Sequence, residues 1–128
     1  MPASSKKIVF AEDNISVVKI VLHTLSSEGY EIIHFPTGDG VVDAVVEHKP
    51  DLLILDLVMP VKDGLTVLKE MKENPATSSV PILLLTATKD ETTVIKILEL
   101  GVTDYITKPF SFNIFLARVK KIIEKTKS

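Results

Sequence analysis

The stretch DLLILDLVMPVKDG, residues 51–64, decides the fold of this chain. Its first half, residues 51–57, is apolar apart from two acidic residues, so a strand built from it is buried on both faces. Such a strand belongs in the middle of a parallel sheet that helices cover on both sides. Its second half, VMPVKDG, contains Pro and Asp-Gly and predicts a loop that leads into a helix.

Short apolar runs and amphipathic stretches alternate along the rest of the chain, which is typical of βαβ units. The other predicted strands cover residues 7–11, 30–35, 80–85 and 103–107. The predicted helices are an amphipathic one that Gly29 closes, three at residues 38–48, 65–72 and 91–100, and a last one capped by Ser111. Because crossovers between parallel strands are right-handed, five strands and five helices in alternation predict a doubly wound α/β sheet.

The amino-acid composition limits the classes of function that the chain can have. The 128 residues fit one domain, and 45% hydrophobic residues are enough for a buried core. A net charge of −2 argues against direct nucleic-acid binding, and the absence of Cys removes disulfides and thiolate metal sites. The sequence contains neither a secretory signal nor an apolar run of membrane-spanning length. We therefore expect a cytoplasmic globular domain without membrane insertion.

Residues able to carry chemistry stand at the ends of four predicted strands. Glu12 and Asp13 follow the first strand, Asp56 ends the third, Thr86 ends the fourth and Lys108 follows the fifth. Ligands of open parallel sheets bind outside the carboxyl ends of the strands. We therefore expect these five side chains to converge on one edge of the sheet.

Three carboxylates and one lysine leave this edge with excess negative charge. Two carboxylates about 4 Å apart repel by roughly 4 kcal/mol at an effective dielectric constant near 20. Because one lysine cannot cancel three carboxylates, a bound cation is expected. All the candidate ligands are oxygens, and a site with room for water and phosphate favours Mg²⁺. A carboxylate beside Mg²⁺, a lysine and a hydroxyl can attack a phosphoryl group, and Asp56 is the predicted nucleophile.

Four pieces of the sequence resemble the receiver domains of bacterial response regulators. They are AEDN at 11–14, DLLILDLVMPVKDG at 51–64, LLLTA at 83–87 and DYITKPF at 104–110. The resemblance covers about residues 6–125 and identifies residues 1–128 as a single receiver domain of two-component signalling. It implies a flavodoxin-like five-stranded parallel sheet in the order 2-1-3-4-5, with five helices.

The resemblance also implies a role for each site residue. Asp56 is implied as the phosphoacceptor, Asp13 as a direct Mg²⁺ ligand and Glu12 as a ligand that acts through water. The backbone carbonyl of Val58 would complete the protein's metal ligands. Lys108 would bind the phosphoryl oxygens, and the peptide bond that follows it, before Pro, is usually cis in this family. Glu12 departs from the Asp that is commonest at its position, but its longer side chain still reaches a metal-bound water.

A second group of residues is implied in switching and in the lifetime of the phosphorylated form. Thr86 would turn to hydrogen-bond the phosphoryl group, and Tyr105 would rotate inward behind it. Ala87 is the small residue that leaves room for the phosphoryl group. Val58 and Thr88 occupy the positions that tune the dephosphorylation rate. Because an apolar Val58 cannot align a water molecule, the phosphorylated form is predicted to be long-lived.

The implied partners are proteins. A sensor histidine kinase or a histidine phosphotransfer protein would donate the phosphoryl group. A downstream protein would contact the face formed by the fourth helix, the fifth strand and the fifth helix. The domain would catalyse its own phosphotransfer and dephosphorylation, as a switch and not as an enzyme with a separate substrate. The resemblance allows a monomer or a phosphorylation-dependent dimer.

Three alternatives remain open at this point. The chain can be a receiver taken from a longer regulator or hybrid kinase, whose output lies elsewhere. A metal-dependent phosphatase with an aspartyl nucleophile is disfavoured, because such enzymes carry an acid two residues after the nucleophile and Val58 stands there. A flavodoxin-like binding module is disfavoured because the acidic edge would repel a flavin phosphate.

His23, His34 and His48 are scattered in the sequence and are interpreted as incidental.

Overall fold

A parallel five-stranded sheet forms the centre of the protein, whose computed structural model describes residues 6–125. The strands are β1 (Lys7–Ala11), β2 (Glu31–Phe35), β3 (Leu52–Asp56), β4 (Ile82–Thr86) and β5 (Asp104–Thr107). The helices are α1 (Ile15–Ser27), α2 (Val41–His48), α3 (Gly64–Glu73), α4 (Glu91–Leu100) and α5 (Phe112–Lys125). The strand order β2-β1-β3-β4-β5 confirms the predicted doubly wound fold. Residues 1–5 and 126–128 of the predicted domain lie outside the described residues.

The central strand β3 is buried along its whole length, as its apolar sequence predicts. Leu53 and Leu55 pack with α2, α3 and α4 on one face of the sheet, whereas Leu52 and Ile54 pack with α1 and α5 on the other. Each such side chain stabilises the fold by about 1.5–3 kcal/mol through burial. The helices therefore cover both faces and leave only the edges of the sheet open. Among residues 6–125, no helix has the length and apolar character needed to cross a membrane.

Side-chain caps set the first residues of three helices. Asn14 caps α1, and Asp63 caps α3 by accepting a hydrogen bond from the Thr66 amide at 2.9 Å. Asp90 caps α4 in the same way. Because Asp63 supplies the cap, α3 begins at Gly64, one residue earlier than predicted. Capping side chains in this position satisfy amide groups that the helix itself leaves unpaired.

Two predicted boundaries move by more than one residue. The predicted helix 38–48 begins only at Val41, because the Gly38 amide donates to the Lys62 carbonyl at 3.0 Å and holds this segment as a loop. The predicted strand 80–85 begins at Ile82, because the Val80 amide donates to the Thr77 carbonyl at 3.1 Å in a turn. Local backbone hydrogen bonds in the loops decide both boundaries.

The loop after β3 folds back tightly onto the end of the strand. The Gly64 amide donates to the Leu57 carbonyl at 2.8 Å, and a Cβ atom at Gly64 would overlap the carbonyl oxygen of Asp56. A side chain at this position therefore displaces the backbone that carries Asp56. Glycine is required here for the close approach of two backbone segments.

We expect Gly64→Ala to destabilise the protein by about 2 kcal/mol or more, because the new methyl group overlaps a backbone that cannot move freely. The measurement is urea unfolding followed by circular dichroism. Gly29→Ala is the matched control, since Gly29 has a φ of 88° but open space around the missing Cβ. We expect the control to cost about 1 kcal/mol, from the left-handed backbone alone. Equal losses for both variants would contradict this account of Gly64.

Candidate functional site

The carboxyl edge of the sheet brings together the acidic residues that the sequence analysis singled out. Glu12 and Asp13 follow β1, and Asp56 is the last residue of the neighbouring strand β3. One carboxylate oxygen from each of the three lies within 4.8 Å of those of the others. The predicted convergence of these three carboxylates is therefore confirmed.

Lys108 bridges two of these carboxylates from the end of β5. Its Nζ lies 2.8 Å from Glu12 Oε1 and 3.4 Å from Asp56 Oδ1. Glu12 is fully buried, and its other carboxylate oxygen accepts a hydrogen bond from the Asn14 amide at 3.1 Å. The Lys108–Pro109 peptide bond is cis, as the resemblance implies. The Lys108 amide donates to the Thr86 carbonyl at 2.7 Å, so the end of β4 holds the lysine in place.

The electrostatics of the site follow from its burial. Removal from water, followed by the negative charge of Glu12, raises the pKa of Asp56 to about 7, although Lys108 opposes this rise. Burial by itself lowers the pKa of Lys108, but its hydrogen bond to Glu12 and the charge of Asp56 outweigh burial and raise the pKa above its usual value. Lys108 therefore stays charged, while Asp56 exchanges its proton near neutral pH.

The donor set suits a hard divalent cation. Three carboxylates face one lysine, so the group carries a charge of −2 when all of it is ionised. Glu12 and Asp56 are buried, whereas Asp13 is exposed and leaves the cluster open to water on one side. Oxygen ligands with access to water are the arrangement in which proteins bind Mg²⁺. The residues present therefore fit Mg²⁺. Val58, whose carbonyl the resemblance implies as a further ligand, is exposed and lies two residues beyond Asp56 in the sequence.

Thr86 lies at the end of β4 with its side chain held by the following loop. It is 1% exposed, and its Oγ1 accepts a hydrogen bond from the Thr88 amide at 3.0 Å. This bond occupies the hydroxyl as an acceptor and leaves its hydrogen available for donation. Ala87 is exposed beside Lys108, where both line a largely apolar groove of about 340 Å³.

Tyr105 lies one strand further from the acidic cluster than Thr86. It pairs with Leu84 in the β4–β5 ladder, and its half-buried ring packs against the core on the side of α4. Its backbone carbonyl accepts a hydrogen bond from Arg118 of α5 at 3.1 Å. Tyr105 therefore stands between the core and the surface formed by α4, β5 and α5.

One contact of the site was not predicted from the sequence. A ring nitrogen of His34, Nε2, lies 2.9 Å from the backbone carbonyl oxygen of Glu12. The sequence analysis interpreted this histidine as incidental, because nothing in the residues around it marks it as part of a site. The adjacency of β1 and β2, which the fold creates, brings the two residues together.

Comparison with known proteins gives one family. The sequence matches a family model described as the response regulator receiver domain over residues 8–120. The fold is also similar to that of solved receiver domains. One is the beryllofluoride-activated N-terminal receiver domain of RstA from Klebsiella pneumoniae, which is 32% identical with a TM-score of 0.82; the match covers 92% of this chain and 98% of that one.

Two further solved structures are receiver domains of histidine kinases. The one from Syntrophus aciditrophicus is 31% identical with a TM-score of 0.88, and the match covers 96% of this chain and 93% of that one. The one from Pseudomonas aeruginosa is 26% identical with a TM-score of 0.84, covering 94% and 99% of the two chains. The latter structure has a magnesium ion coordinated in its active site cleft.

The raised pKa of Asp56 predicts how the stability of the metal-free protein depends on pH. In the unfolded chain this carboxyl has a pKa near 3.9, so between about pH 4 and pH 7 the folded state binds the extra proton. Ionisation of Asp56 therefore removes stability as the pH rises through this window. We expect Asp56→Asn to be more stable than the wild type at pH 8, by on the order of 2 kcal/mol.

The measurement is the free energy of unfolding of both proteins in EDTA from pH 5 to pH 8. The gap between them should shrink as the pH falls, because protonated Asp56 no longer carries the penalty. Excess Mg²⁺ at pH 8 should stabilise the wild type more than Asp56→Asn, because it binds the folded wild type preferentially. A gap that is the same at every pH would rule out ionisation of Asp56 as its cause.

Proposed function

Because the chain belongs to the response regulator receiver domain family, we propose that it accepts a phosphoryl group on Asp56, with the help of Mg²⁺, and thereby changes its affinity for a protein partner. One observation carries this proposal. Three carboxylates within 4.8 Å of one another share a single lysine, whose Nζ is bonded to two of them. Such a cluster attracts a cation, and the cation together with the lysine would then hold an anionic phosphoryl group against a carboxylate, as phosphoryl transfer requires.

Asp56 would act as the nucleophile. One of its carboxylate oxygens forms a bond to the phosphorus atom of a phosphohistidine, and the phosphorus–nitrogen bond of the donor breaks, so that the imidazole leaves. Glu12, Asp13, Asp56 and the Val58 carbonyl would hold Mg²⁺, which would supply positive charge against the phosphoryl oxygens. Glu12 is assigned a ligand role through water, since its carboxylate is already engaged with Lys108 and the Asn14 amide.

Lys108 would exchange partners during the reaction. Its Nζ is farther from Asp56, at 3.4 Å, than from Glu12, at 2.8 Å. Once the Asp56 carboxylate has become an acyl phosphate, its negative charge lies on the phosphoryl oxygens, and the ammonium can keep its bond to Glu12 and turn its second contact to one of them. Charge-assisted hydrogen bonds of this kind are roughly twice as strong as neutral ones. Lys108 therefore stabilises the product without leaving the site.

Thr86 and Tyr105 are proposed to pass the change to the surface. The Thr86 hydroxyl retains a hydrogen to donate, and a phosphoryl oxygen on Asp56 would be its acceptor. Movement of Thr86 away from the Thr88 amide makes room behind it, into which Tyr105 turns from its half-buried position. A shift from 1:99 to 99:1 between two conformations requires roughly 5.5 kcal/mol of differential interaction. The new contacts of Thr86 and Lys108 with the phosphoryl group would supply most of this difference.

The proposed donor is a histidine kinase or a histidine phosphotransfer protein. The apolar groove beside Lys108, lined also by Val17, Phe110 and Phe112, offers such a protein a contact next to the acidic cluster. The proposed output surface is the α4–β5–α5 face, where Ile95, Leu98 and Ile114 are exposed. We propose a cytoplasmic switch that catalyses its own phosphorylation and dephosphorylation, as a monomer or as a dimer formed on phosphorylation.

The direct test is incubation with Mg²⁺ and acetyl phosphate, followed by the intact mass of the protein. We expect the wild type to gain one phosphoryl group and Asp56→Asn to gain none. Omission of Mg²⁺, or the variant Asp13→Asn, should lower the extent of labelling by at least about tenfold. Labelling of Asp56→Asn to the wild-type extent would refute Asp56 as the acceptor. If acetyl phosphate labels neither protein, binding of beryllofluoride with Mg²⁺ tests whether the pocket is competent.

Val58 gives a second prediction, on the lifetime of the phosphorylated form. Its exposed apolar side chain, two residues from Asp56, cannot hydrogen-bond an attacking water. We expect Val58→Asn to lose its phosphoryl group about tenfold faster than the wild type, because the Asn amide can hydrogen-bond and position the attacking water. The measurement is decay of the phosphorylated mass after removal of donor. Val58→Ala is the control, and equal decay of all three proteins would overturn this role for Val58.

A further inference from the structure

His34 lies in the edge strand β2, directly opposite Phe10 of β1. Its ring is tilted by 47° against the Phe10 ring, with the two centroids 5.5 Å apart. Its Nε2 lies 2.9 Å from the carbonyl oxygen of Glu12, which follows β1. Packing against Phe10 therefore orients the imidazole so that Nε2 points to the backbone of the acidic cluster.

The direction of this hydrogen bond is fixed by chemistry. A carbonyl oxygen only accepts, so Nε2 carries the hydrogen and donates it. Glu12 is fully buried, and its own amide donates to the Phe35 carbonyl at 3.0 Å. Both polar groups of the Glu12 backbone are therefore hydrogen-bonded to β2. The amide is bonded to the main chain of β2, and the carbonyl is bonded to the His34 ring.

The Glu12 carbonyl belongs to the peptide group that joins Glu12 to Asp13. A peptide group is planar, so the position of its oxygen sets the plane that contains the Cα atoms of both residues. The two side chains that offer carboxylates to the cluster start from these two Cα atoms. Rotation of this one peptide group would move Glu12 and Asp13 relative to Asp56, and the three oxygens now lie within 4.8 Å of one another.

We propose that His34 is a positioning residue for the metal site: its Nε2–H holds the Glu12–Asp13 peptide group in the orientation that aims both carboxylates at one cation. This inference rests on the proposed function, since it assumes that the cation is Mg²⁺. His34 itself contacts neither the cation nor the phosphoryl group. Partners that orient metal ligands from behind typically change metal affinity by about 10–100-fold when they are removed.

A purely structural role predicts a different result. Any side chain that donates a hydrogen bond to a buried carbonyl adds stability. Thr77 makes such a bond in this protein and provides the matched control. Thr77 is fully buried, and its hydroxyl donates to the Met71 carbonyl at 2.7 Å, at the end of α3. Thr77→Val therefore removes a comparable bond, and neither Thr77 nor Met71 is among the residues of the acidic cluster.

The experiment compares the wild type with His34→Phe, His34→Gln and Thr77→Val. Phe keeps a ring against Phe10 but has no donor, whereas the Gln amide places a donor at a similar reach. Isothermal titration with Mg²⁺ alone gives the dissociation constant, and thermal unfolding in EDTA gives Tm. We expect His34→Phe to weaken Mg²⁺ binding about tenfold and His34→Gln to restore most of the affinity. Thr77→Val should lower Tm and bind Mg²⁺ as the wild type does.

Three results separate the failure of this inference from the failure of the proposed function. If the wild type binds Mg²⁺ and His34→Phe binds it equally well, His34 does not position the site, although the proposed function stands. The same holds if His34→Gln is as weak as His34→Phe, because the donor is then not what matters. If the wild type itself does not bind Mg²⁺, both the inference and the metal-assisted function are overturned.

Discussion

Two buried carboxylates, Glu12 and Asp56, share the single ammonium group of Lys108, so when both are ionised one buried negative charge remains uncompensated, and the exposed Asp13 adds a second. Burying ionised groups without full compensation costs several kcal/mol, which is a large part of the stability of a domain of this size. The burial of apolar side chains in the sheet around the cluster stabilises the fold and offsets this cost. Under the proposed function, a bound divalent cation would supply the missing positive charge, so its binding energy would arise from the same imbalance that weakens the free protein.

The central strand makes the imbalance possible. Four of its residues are buried hydrophobics on alternating faces, and they hold Asp56 at the edge of the sheet. Because both faces of this strand are apolar, a shift by one residue would only exchange one set of apolar side chains for another between the two faces of the sheet. The charge of Asp56 favours one register, because a shift along the strand would move the carboxylate away from Lys108 and into the apolar core. The proposed function and the register would therefore depend on the same side chain.

The connections of Lys108 link the acidic cluster to the rest of the edge. Its side chain reaches Glu12 and Asp56, while its backbone amide is bonded to the Thr86 carbonyl. Tyr105, three residues earlier on β5, is held by Arg118 of α5 through its own carbonyl. A change of charge at the cluster would therefore act on strand ends that lie next to the α4–β5–α5 surface. Short hydrogen-bonded connections of this kind are the elements through which two packed arrangements can differ.

The sequence alone determined the layers of the fold and the acidic edge. Alternating apolar segments require a helix-covered parallel sheet, and the carboxyl ends of parallel strands meet at one edge, so the convergence of Glu12, Asp13 and Asp56 followed from their positions at strand ends. The ends of loops and helices were less predictable, because single hydrogen bonds such as that from Gly38 to Lys62 decide them. Only the tertiary structure decided the bonds of Lys108 and the contact of His34 with the Glu12 backbone. Those contacts join residues 22 to 96 positions apart in the sequence. The geometry of side chains across the sheet determines them, and no local sequence pattern encodes it.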